Sequence, residues 1–260
     1  MFGKLKKISI AIIIFLPFSF LTCLSTQYYG AVKVDSQNLQ KKIHKVAIIP
    51  PFIPEEIKNV RKDVSKTYED LIISALKKGK IDSIPSEEYT KIWEPIKKNS
   101  GGLFDPLTGK VDENKMATLR QQAIEKMKNK FFIDGYVFIN FTIASAIFEK
   151  SEASWDGVMD ISTGYNSKFV YPNAHGRMPA LSLLIIINDL DENILYRNAG
   201  GIHLLKYIHP AGYFVDVPID DLFADKTKDI RAVNAAMKPF YKLFGLNVEQ
   251  STVPTAGTSN

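Results

Sequence analysis

The sequence predicts a single α/β domain in which a mixed sheet carries helices packed mainly on one face. The first half of the chain alternates short apolar strands with amphipathic helical stretches, which is the pattern of parallel βαβ units. The second half is rich in strand-like runs of aromatic and β-branched residues. No internal repeat is visible, so we expect one domain over residues 44–246.

The elements of the first half follow from their periodicity. A short buried strand is predicted at 46–49 and is stopped by Pro50 and Pro51. Residues 63–80 carry apolar side chains on one helical face and end at Gly79, the apolar positions being Tyr68, Leu71, Ile72, Ala75 and Leu76. A second strand is predicted at 81–85, followed by a helix opened by Ser86. Residues 99–115 are rich in turn-forming residues, and a further helix follows at 116–130.

The sequence of the second half predicts several strands followed by one helix. The strand-like runs are 131–148, 155–162, 181–189, 194–198, 202–205 and 213–217. Residues 191–193 form a hairpin link between two of these runs, and Gly200-Gly201 predicts a close approach of two backbones. A last helix is expected at 227–244, bent by Pro239, and residues 247–260 have the composition of a disordered tail.

The amino terminus predicts export from the cytoplasm. Three lysines, Lys4, Lys6 and Lys7, precede a run without charge at residues 8–21. A basic start followed by an apolar core of about 7–15 residues is the pattern of an export signal. A membrane-spanning helix needs about 20 apolar residues, whereas this run has fourteen and contains Pro17. We therefore expect residues 1–22 to be a signal peptide that is removed.

Cys23, the only cysteine, stands where a bacterial lipoprotein signal ends. Residues 20–23, Phe-Leu-Thr-Cys, resemble the lipobox, in which the cysteine thiol receives a diacylglycerol and the new amino terminus is then acylated. The resemblance implies lipidation of Cys23. Residues 24–42 are mostly polar and lack a sustained period, so we expect a tether over residues 23–43 in which a short ordered piece can form. The alternatives are an ordinary signal cut near Ser25 and an uncleaved anchor.

The composition excludes several classes of protein. The mature chain carries 30 basic and 28 acidic residues, so its net charge falls from +5 to about +2 once the three signal lysines are removed. No basic stripe with interleaved aromatic residues is present, and we expect no nucleic-acid partner. With Cys23 lipidated, no thiol remains for a disulfide or a thiolate metal site.

Motifs for catalysis or cofactor binding are absent from the sequence. There is no G-x-S-x-G, H-E-x-x-H, P-loop or G-x-G-x-x-G, and we predict no cofactor, no metal site and no enzymatic activity. His175, His203, His209 and Asp216 lack the tight spacing of a metal pair. An enzyme would require an acid–base cluster, for example from Asp134, His175 or His203 in one cleft.

The motif Trp155-Asp156-Gly157 is the candidate site for a partner. Its structural interpretation places Trp155 in the core and Asp156 in a turn. Its functional interpretation uses Trp155, Asp156 and Gly157 to dock a partner, because exposed tryptophans are common binding anchors.

These features together carry a resemblance to a family. Cys23, the strand and turn at 45–52, the loop at 102–110, the SWDG motif at 154–157 and the run at 198–205 resemble uncharacterised predicted bacterial lipoproteins. The first half is more loosely similar to curli-secretion-channel lipoproteins and to lipoprotein activators of penicillin-binding proteins. That similarity implies a compact α/β domain, and it transfers no activity.

The sequence therefore predicts a non-catalytic lipoprotein of the cell envelope, held by its lipid at the outer membrane in preference to the inner one. We expect it to bind or scaffold another envelope protein, or to self-associate. A carrier of a small ligand or lipid is the first alternative, and it requires a deep apolar pocket of a few hundred Å³ between sheet and helices. An envelope enzyme is the second.

Overall fold

A computed structural model describes residues 32–58, 62–104, 108–163 and 173–246. The predicted signal peptide, Cys23 and the tail at 247–260 lie outside these ranges. In the first half of the described chain the elements are β1 (Lys33–Val34), α1 (Ser36–Lys42), β2 (Lys45–Ile48), α2 (Lys62–Lys78), β3 (Asp82–Ile84), α3 (Ser86–Asn99) and α4 (Glu113–Phe131). In the second half they are β4 (Gly135–Glu149), β5 (Glu152–Trp155), β6 (Val158–Ile161), β7 (His175–Asp189), β8 (Ile194–Leu204), β9 (Lys206–Ile208), β10 (Phe214–Asp216) and α5 (Lys226–Leu243).

The mixed sheet of an α/β domain is confirmed. Its strand order is β1-β8-β7-β4-β2-β3, with β5 and β6 continuing from β4. Strand β2 is parallel to β3 and β4, and the remaining pairs are antiparallel. The centre of the sheet is the pair β4 and β7, which match along fifteen residue pairs without a register shift.

The helices occupy both faces of the sheet, whereas the sequence predicted them mainly on one. Helices α1, α2 and α5 cover one face and form the largest core cluster with Val137, Ile139 and Phe141 of β4. Helices α3 and α4 cover part of the other face through Ala47 and Tyr136. The physical reason is that β4 is apolar on both faces at its start, so each face must be covered.

The folded domain begins before residue 44, in the segment that the sequence assigned to a tether. Strand β1 pairs with β8, placing Lys33 opposite Arg197. The Asp35 side chain accepts a hydrogen bond from the backbone N–H of Asn38 and caps α1. Leu39 of α1 is fully buried in the core. The expected boundary therefore moves toward the amino terminus by about ten residues, because this short segment buries its own apolar side chain.

Helix α3 is held at its start by another helix. Its cap residue is Pro85, which provides no side-chain acceptor. The buried carboxylate of Glu69, on α2, instead accepts hydrogen bonds from the backbone N–H of Ser86 at 2.9 Å and from its hydroxyl at 2.6 Å. The predicted helix start at Ser86 is confirmed. The hydrogen-bond acceptor for its first backbone N–H is the Glu69 carboxylate of α2.

The close approach predicted at Gly200-Gly201 is confirmed. A Cβ on Gly200 would lie 1.9 Å from the carbonyl oxygen of Ala232 in α5. A Cβ on Gly201 would lie 2.5 Å from the indole nitrogen of Trp155. The two glycines thus let β8 contact α5 on one face and the β5–β6 hairpin on the other.

None of the helices in the described part of the chain has the length and apolar content that crossing a membrane requires.

Candidate functional site

A cleft of about 920 Å³ opens between the sheet and helices α3 and α4. Its floor is formed by β4 and β7, and the segment that follows β2 closes one side. This volume lies within the range of about 300–1,000 Å³ that is typical of small-molecule sites. In volume and position, the cleft matches the pocket that a carrier of a small ligand requires.

The cleft exists because the two helices cover only the first part of β4. The floor consists of the paired residues Phe138–Ile186 and Asn140–Leu184, followed by Thr142. Phe138 still packs at the edge of the core under α3 and α4. Beyond it, Asn140 and Thr142 replace the large apolar side chains that would be needed to attract a covering helix.

Aromatic side chains form the wall on the α3 side. Tyr89 and Trp93, four residues apart on α3, stack with ring centroids 6.1 Å apart. Burial raises the pKa of Tyr89 to about 12, so its phenol is neutral at physiological pH. At the mouth, Phe52 and Val111 are exposed by 56% and 39% and add further apolar surface.

Four groups give the cleft polar and charged character. The guanidinium of Arg120, on α4, lies 5.4 Å from the ring centroid of Phe138 in a cation–π contact. The carboxylate of Glu94 pairs with Lys97 at 3.0 Å, and Glu113 lies in the first turn of α4. Thr142 is 4% exposed, and its hydroxyl has no hydrogen-bond partner among the described residues. Buried polar groups are ordinarily hydrogen-bonded, so this hydroxyl on the cleft floor is a group that a ligand could satisfy.

The SWDG motif forms a tight hairpin between β5 and β6. Asp156 and Gly157 have φ values of 40° and 75°, which is typical of an Asp-Gly type I′ turn. The buried Trp155 donates a hydrogen bond of 3.2 Å from its indole N–H to the carbonyl of Leu181. The Asp156 carboxylate accepts a hydrogen bond from the hydroxyl of Ser182.

A docking role of Trp155, Asp156 and Gly157 would require an exposed tryptophan, and Trp155 is buried. Trp155 faces the interior and presents no free indole surface to a partner, and its neighbours fix the hairpin against the sheet. The structural interpretation of the motif fits the geometry. Ser182 pairs with Thr142 across β4 and β7, so the hairpin lies next to the last residue of the cleft floor.

The other titratable candidates are not brought together. Asp134 precedes β4 and accepts hydrogen bonds from the backbone N–H groups of His44 and Lys45. His175 begins β7 at the other end of the fifteen paired residues, roughly 45 Å away at about 3.3 Å per residue. His203 is buried in β8, where a ring nitrogen lies 2.8 Å from the carbonyl oxygen of Leu204. Within the described ranges, no group of three or more His, Cys, Asp or Glu side chains could hold a metal ion.

The residues of the cleft were not singled out by the sequence analysis. A signal was present in β4, where Asn140 and Thr142 interrupt one face of an otherwise apolar strand at alternate positions. Such a pattern indicates a strand face that is not covered by a packed helix.

No protein-family model matches this chain, and no curated protein matches it significantly. Among solved structures, the chain is similar to the lipoprotein GNA1162 from Neisseria meningitidis, at 12% identity and a TM-score of 0.29, over 61% of this chain and 81% of that one. It is also similar to a neuraminyllactose-binding hemagglutinin homolog from Helicobacter pylori, at 12% identity and a TM-score of 0.29, over 84% of this chain and 92% of that one. A TM-score of 0.29 is too low to transfer a fold or a function, so the functional argument depends on the chain's own residues.

Proposed function

We propose that this protein is a lipid-anchored, non-catalytic lipoprotein of the bacterial cell envelope that binds a small amphipathic molecule in the cleft between the sheet and α3 and α4. The observation that carries the proposal is the cleft itself, which combines an aromatic wall and the apolar floor residues Phe138, Leu184 and Ile186 with a buried hydroxyl that has no partner in the described structure. Cys23 supplies the anchor.

The lining residues define the chemistry of the ligand. An apolar body fits against Phe138, Leu184 and Ile186, and a ring can stack beside Trp93. A polar atom at the floor would bond to the hydroxyl of Thr142. An acidic group would pair with Arg120, which forms no ion pair within the described part of the chain. The ligand class is thus an apolar molecule that carries one acidic group.

A fluorescent probe of this chemistry tests the proposal. Anilinonaphthalene sulfonate has an apolar ring system and one sulfonate, and we expect it to bind the folded protein saturably at one site. Trp93 in the wall would transfer excitation energy to the probe, and the Trp93→Phe variant would lose most of this transfer. The Leu184→Trp variant, which fills the floor, should weaken binding at least about tenfold, equivalent to about 1.4 kcal/mol.

The matched control is Lys78→Trp, which introduces the same indole at an exposed position of α2, on the opposite face of the sheet from the cleft. It should bind the probe as the unsubstituted protein does. Probe binding that is not saturable, or that survives Leu184→Trp unchanged, would contradict the proposal.

The second candidate function is binding of another envelope protein at the rim of the cleft. Three exposed apolar residues favour it, since Phe52, Phe104 and Val111 lie in neighbouring segments and Phe104 bridges to Val111. A photo-crosslinking residue at position 104 in growing cells should give one discrete protein adduct, and the same residue at the exposed position 78 should not. The same set of crosslinked proteins at both positions would exclude binding of an envelope protein at the rim of the cleft.

The anchor has its own test. Cells that express the protein should incorporate labelled palmitate into it, and the Cys23→Ala variant should incorporate none. Equal labelling of the two proteins would show that Cys23 is not the lipid attachment site.

A further inference from the structure

The hairpin of β9 and β10 exposes an apolar tip at one end of the molecule. Residues 209–215, His-Pro-Ala-Gly-Tyr-Phe-Val, are all exposed and include no Lys, Arg, Asp or Glu. Tyr213, Phe214 and Val215 are 54%, 49% and 40% exposed. Three adjacent apolar residues exposed together are uncommon on a soluble surface and indicate a contact with another apolar phase.

The base of the hairpin is attached firmly to the domain. Ile208 is buried in the core cluster beneath the β5–β6 hairpin, and its N–H donates to the carbonyl of Ser162 at 2.7 Å. Phe214 packs edge-to-face against Phe148 of β4, with ring centroids 6.3 Å apart. Lys206 and Asp216 pair at 2.9 Å, so the only two charged residues of the hairpin strands compensate each other. The tip is therefore a fixed, uncharged projection.

The tether enters the domain along the strand that leads to this hairpin. Strand β1 is antiparallel to β8, with Lys33 opposite Arg197 and Val34 opposite Tyr196. The first residue of β1 thus lies on the side of Leu204, the end of β8 from which the hairpin continues. That end lies seven residues beyond Arg197, or about 23 Å at about 3.3 Å per residue. The ten residues from Cys23 to Lys33 span at most about 35 Å, so the lipidated residue can reach past Leu204, where the hairpin begins.

We infer that the β9–β10 tip, residues 209–215, is a membrane-contacting surface that inserts its aromatic and apolar side chains into the bilayer interface beside the lipid anchor. The inference rests on the lipid anchor of the proposed function and is independent of the cleft. Tyrosine and phenylalanine suit the interface, where an apolar ring meets the acyl boundary and a hydroxyl remains near water. The acyl chains hold the protein at the surface, and the tip fixes which end of the sheet faces the lipid.

In the competing orientation, the opposite end of the sheet, at the turn between β7 and β8, faces the membrane. The turn between β7 and β8 exposes Asp191 and Glu192, which anionic lipid would repel. Lys41 and Lys42 of α1 are near that end and would be attracted to anionic lipid. A measurement at both ends of β8, which are about 35 Å apart at about 3.3 Å per residue, distinguishes the two orientations.

The experiment uses the full lipidated protein with one introduced cysteine. Because Cys23 is the only cysteine of the chain and its sulfur is alkylated in the lipoprotein, Ala211→Cys at the tip or Glu192→Cys at the opposite turn can each be labelled alone with a nitrobenzoxadiazole dye. Each protein is reconstituted in phosphatidylcholine and phosphatidylglycerol vesicles, with and without bromine on the acyl chains. Interfacial insertion is about 5–10 Å deep, so bromine should lower emission from position 211 at least about twofold and leave position 192 unchanged.

Three outcomes would overturn the inference. Equal emission with and without bromine at position 211, in protein that floats with the vesicles, would show that the lipid anchor exists but that the tip does not enter the bilayer. Quenching at position 192 instead would establish the opposite orientation. If the protein does not float with the vesicles and its unsubstituted form accepts the dye at Cys23, Cys23 carries no lipid and the anchor is excluded. Binding of anilinonaphthalene sulfonate in the cleft would be unaffected by that result. Circular dichroism of each labelled variant confirms that the fold is retained.

Discussion

The phenol of Tyr68 donates a hydrogen bond of 2.6 Å to a carboxylate oxygen of Asp229. Tyr68 lies on α2 and Asp229 on α5, so this contact joins the two principal helices of one face across 161 residues of sequence. Both residues are buried. Burial, together with the adjacent charge of Asp229, raises the pKa of Tyr68 well above its ordinary value. The phenol is therefore neutral and serves as a hydrogen-bond donor at physiological pH.

Removing this donor should destabilise the domain. We expect Tyr68→Phe to lower the free energy of unfolding by about 1–3 kcal/mol, because the buried carboxylate loses a donor. Tyr241→Phe is the control, since Tyr241 is also buried on α5 and its hydroxyl has no hydrogen bond in the described structure. Its effect should remain within about 0.5 kcal/mol. Urea denaturation measures both, and equal losses would contradict the role given to the Tyr68–Asp229 contact.

The contact between Glu69 and the start of α3 links stability to the cleft. Glu69→Ala should lower the free energy of unfolding by about 1–3 kcal/mol, because the first N–H of α3 and the hydroxyl of Ser86 lose their acceptor. Since α3 carries Tyr89 and Trp93, the variant should also bind anilinonaphthalene sulfonate more weakly. Glu87→Ala removes an exposed pair with Lys91 and should change stability by less than about 0.5 kcal/mol. Unaltered probe binding in a destabilised Glu69→Ala protein would separate α3 from the ligand site.

Gly200 should not tolerate a side chain. The Cβ of Gly200→Ala would lie 1.9 Å from a backbone oxygen of α5, so the helix would have to move away from β8. We expect a loss of about 3 kcal/mol or more in unfolding free energy. Gly212→Ala is the comparison, because its Cβ meets open space and only its φ of +86° opposes the substitution. That variant should lose about 1 kcal/mol in thermal or urea unfolding. A smaller effect at Gly200 than at Gly212 would contradict the packing described for β8 and α5.

His203 should make the protein less stable in acid. Burial is the main cause that lowers the pKa of His203 below its ordinary value of 6.5, and nearby Lys228 and Arg231 act in the same direction. Its neutral form is favoured in the folded state, so stability is full above pH 6.5 and decreases as the pH falls from 6.5 toward the folded pKa. The His203→Gln variant should lose this part of the pH dependence. Urea midpoints measured across this range test it, and identical slopes in the two proteins would count against it.

The elements with strong periodicity could be predicted from the sequence, and their arrangement in space could not. Helices α2 and α5 were indicated by apolar residues at helical spacing, and β4 and β7 by long β-branched runs. The assignment of α3 and α4 to the second face was not predictable, because β4 is apolar on both faces at its start and a periodic helix does not specify which face it covers. Segment 33–43 was misassigned because its buried Leu39 stands among polar residues.

The cleft was missed for a related reason. It is created by residues on five separate segments, and the sequence places Trp93 on an ordinary amphipathic helix and Asn140 within a strand. Only the packing shows that α3 and α4 end their contact with the sheet near Phe138. The sequence correctly placed Trp155 next to a turn. It could not show whether the indole faces the core or the solvent, because a tryptophan beside Asp-Gly occurs in both settings.

The uninterrupted pairing of β4 with β7 has a mechanical consequence. The two strands run from the acidic turn at one end to the apolar hairpin at the other, and their fifteen matched residue pairs contain no bulge at which the ribbon could bend. Their central amides will be the last in the molecule to exchange with deuterated solvent, since they open only when the whole domain does. The ribbon formed by β4 and β7 therefore resists bending along its whole length.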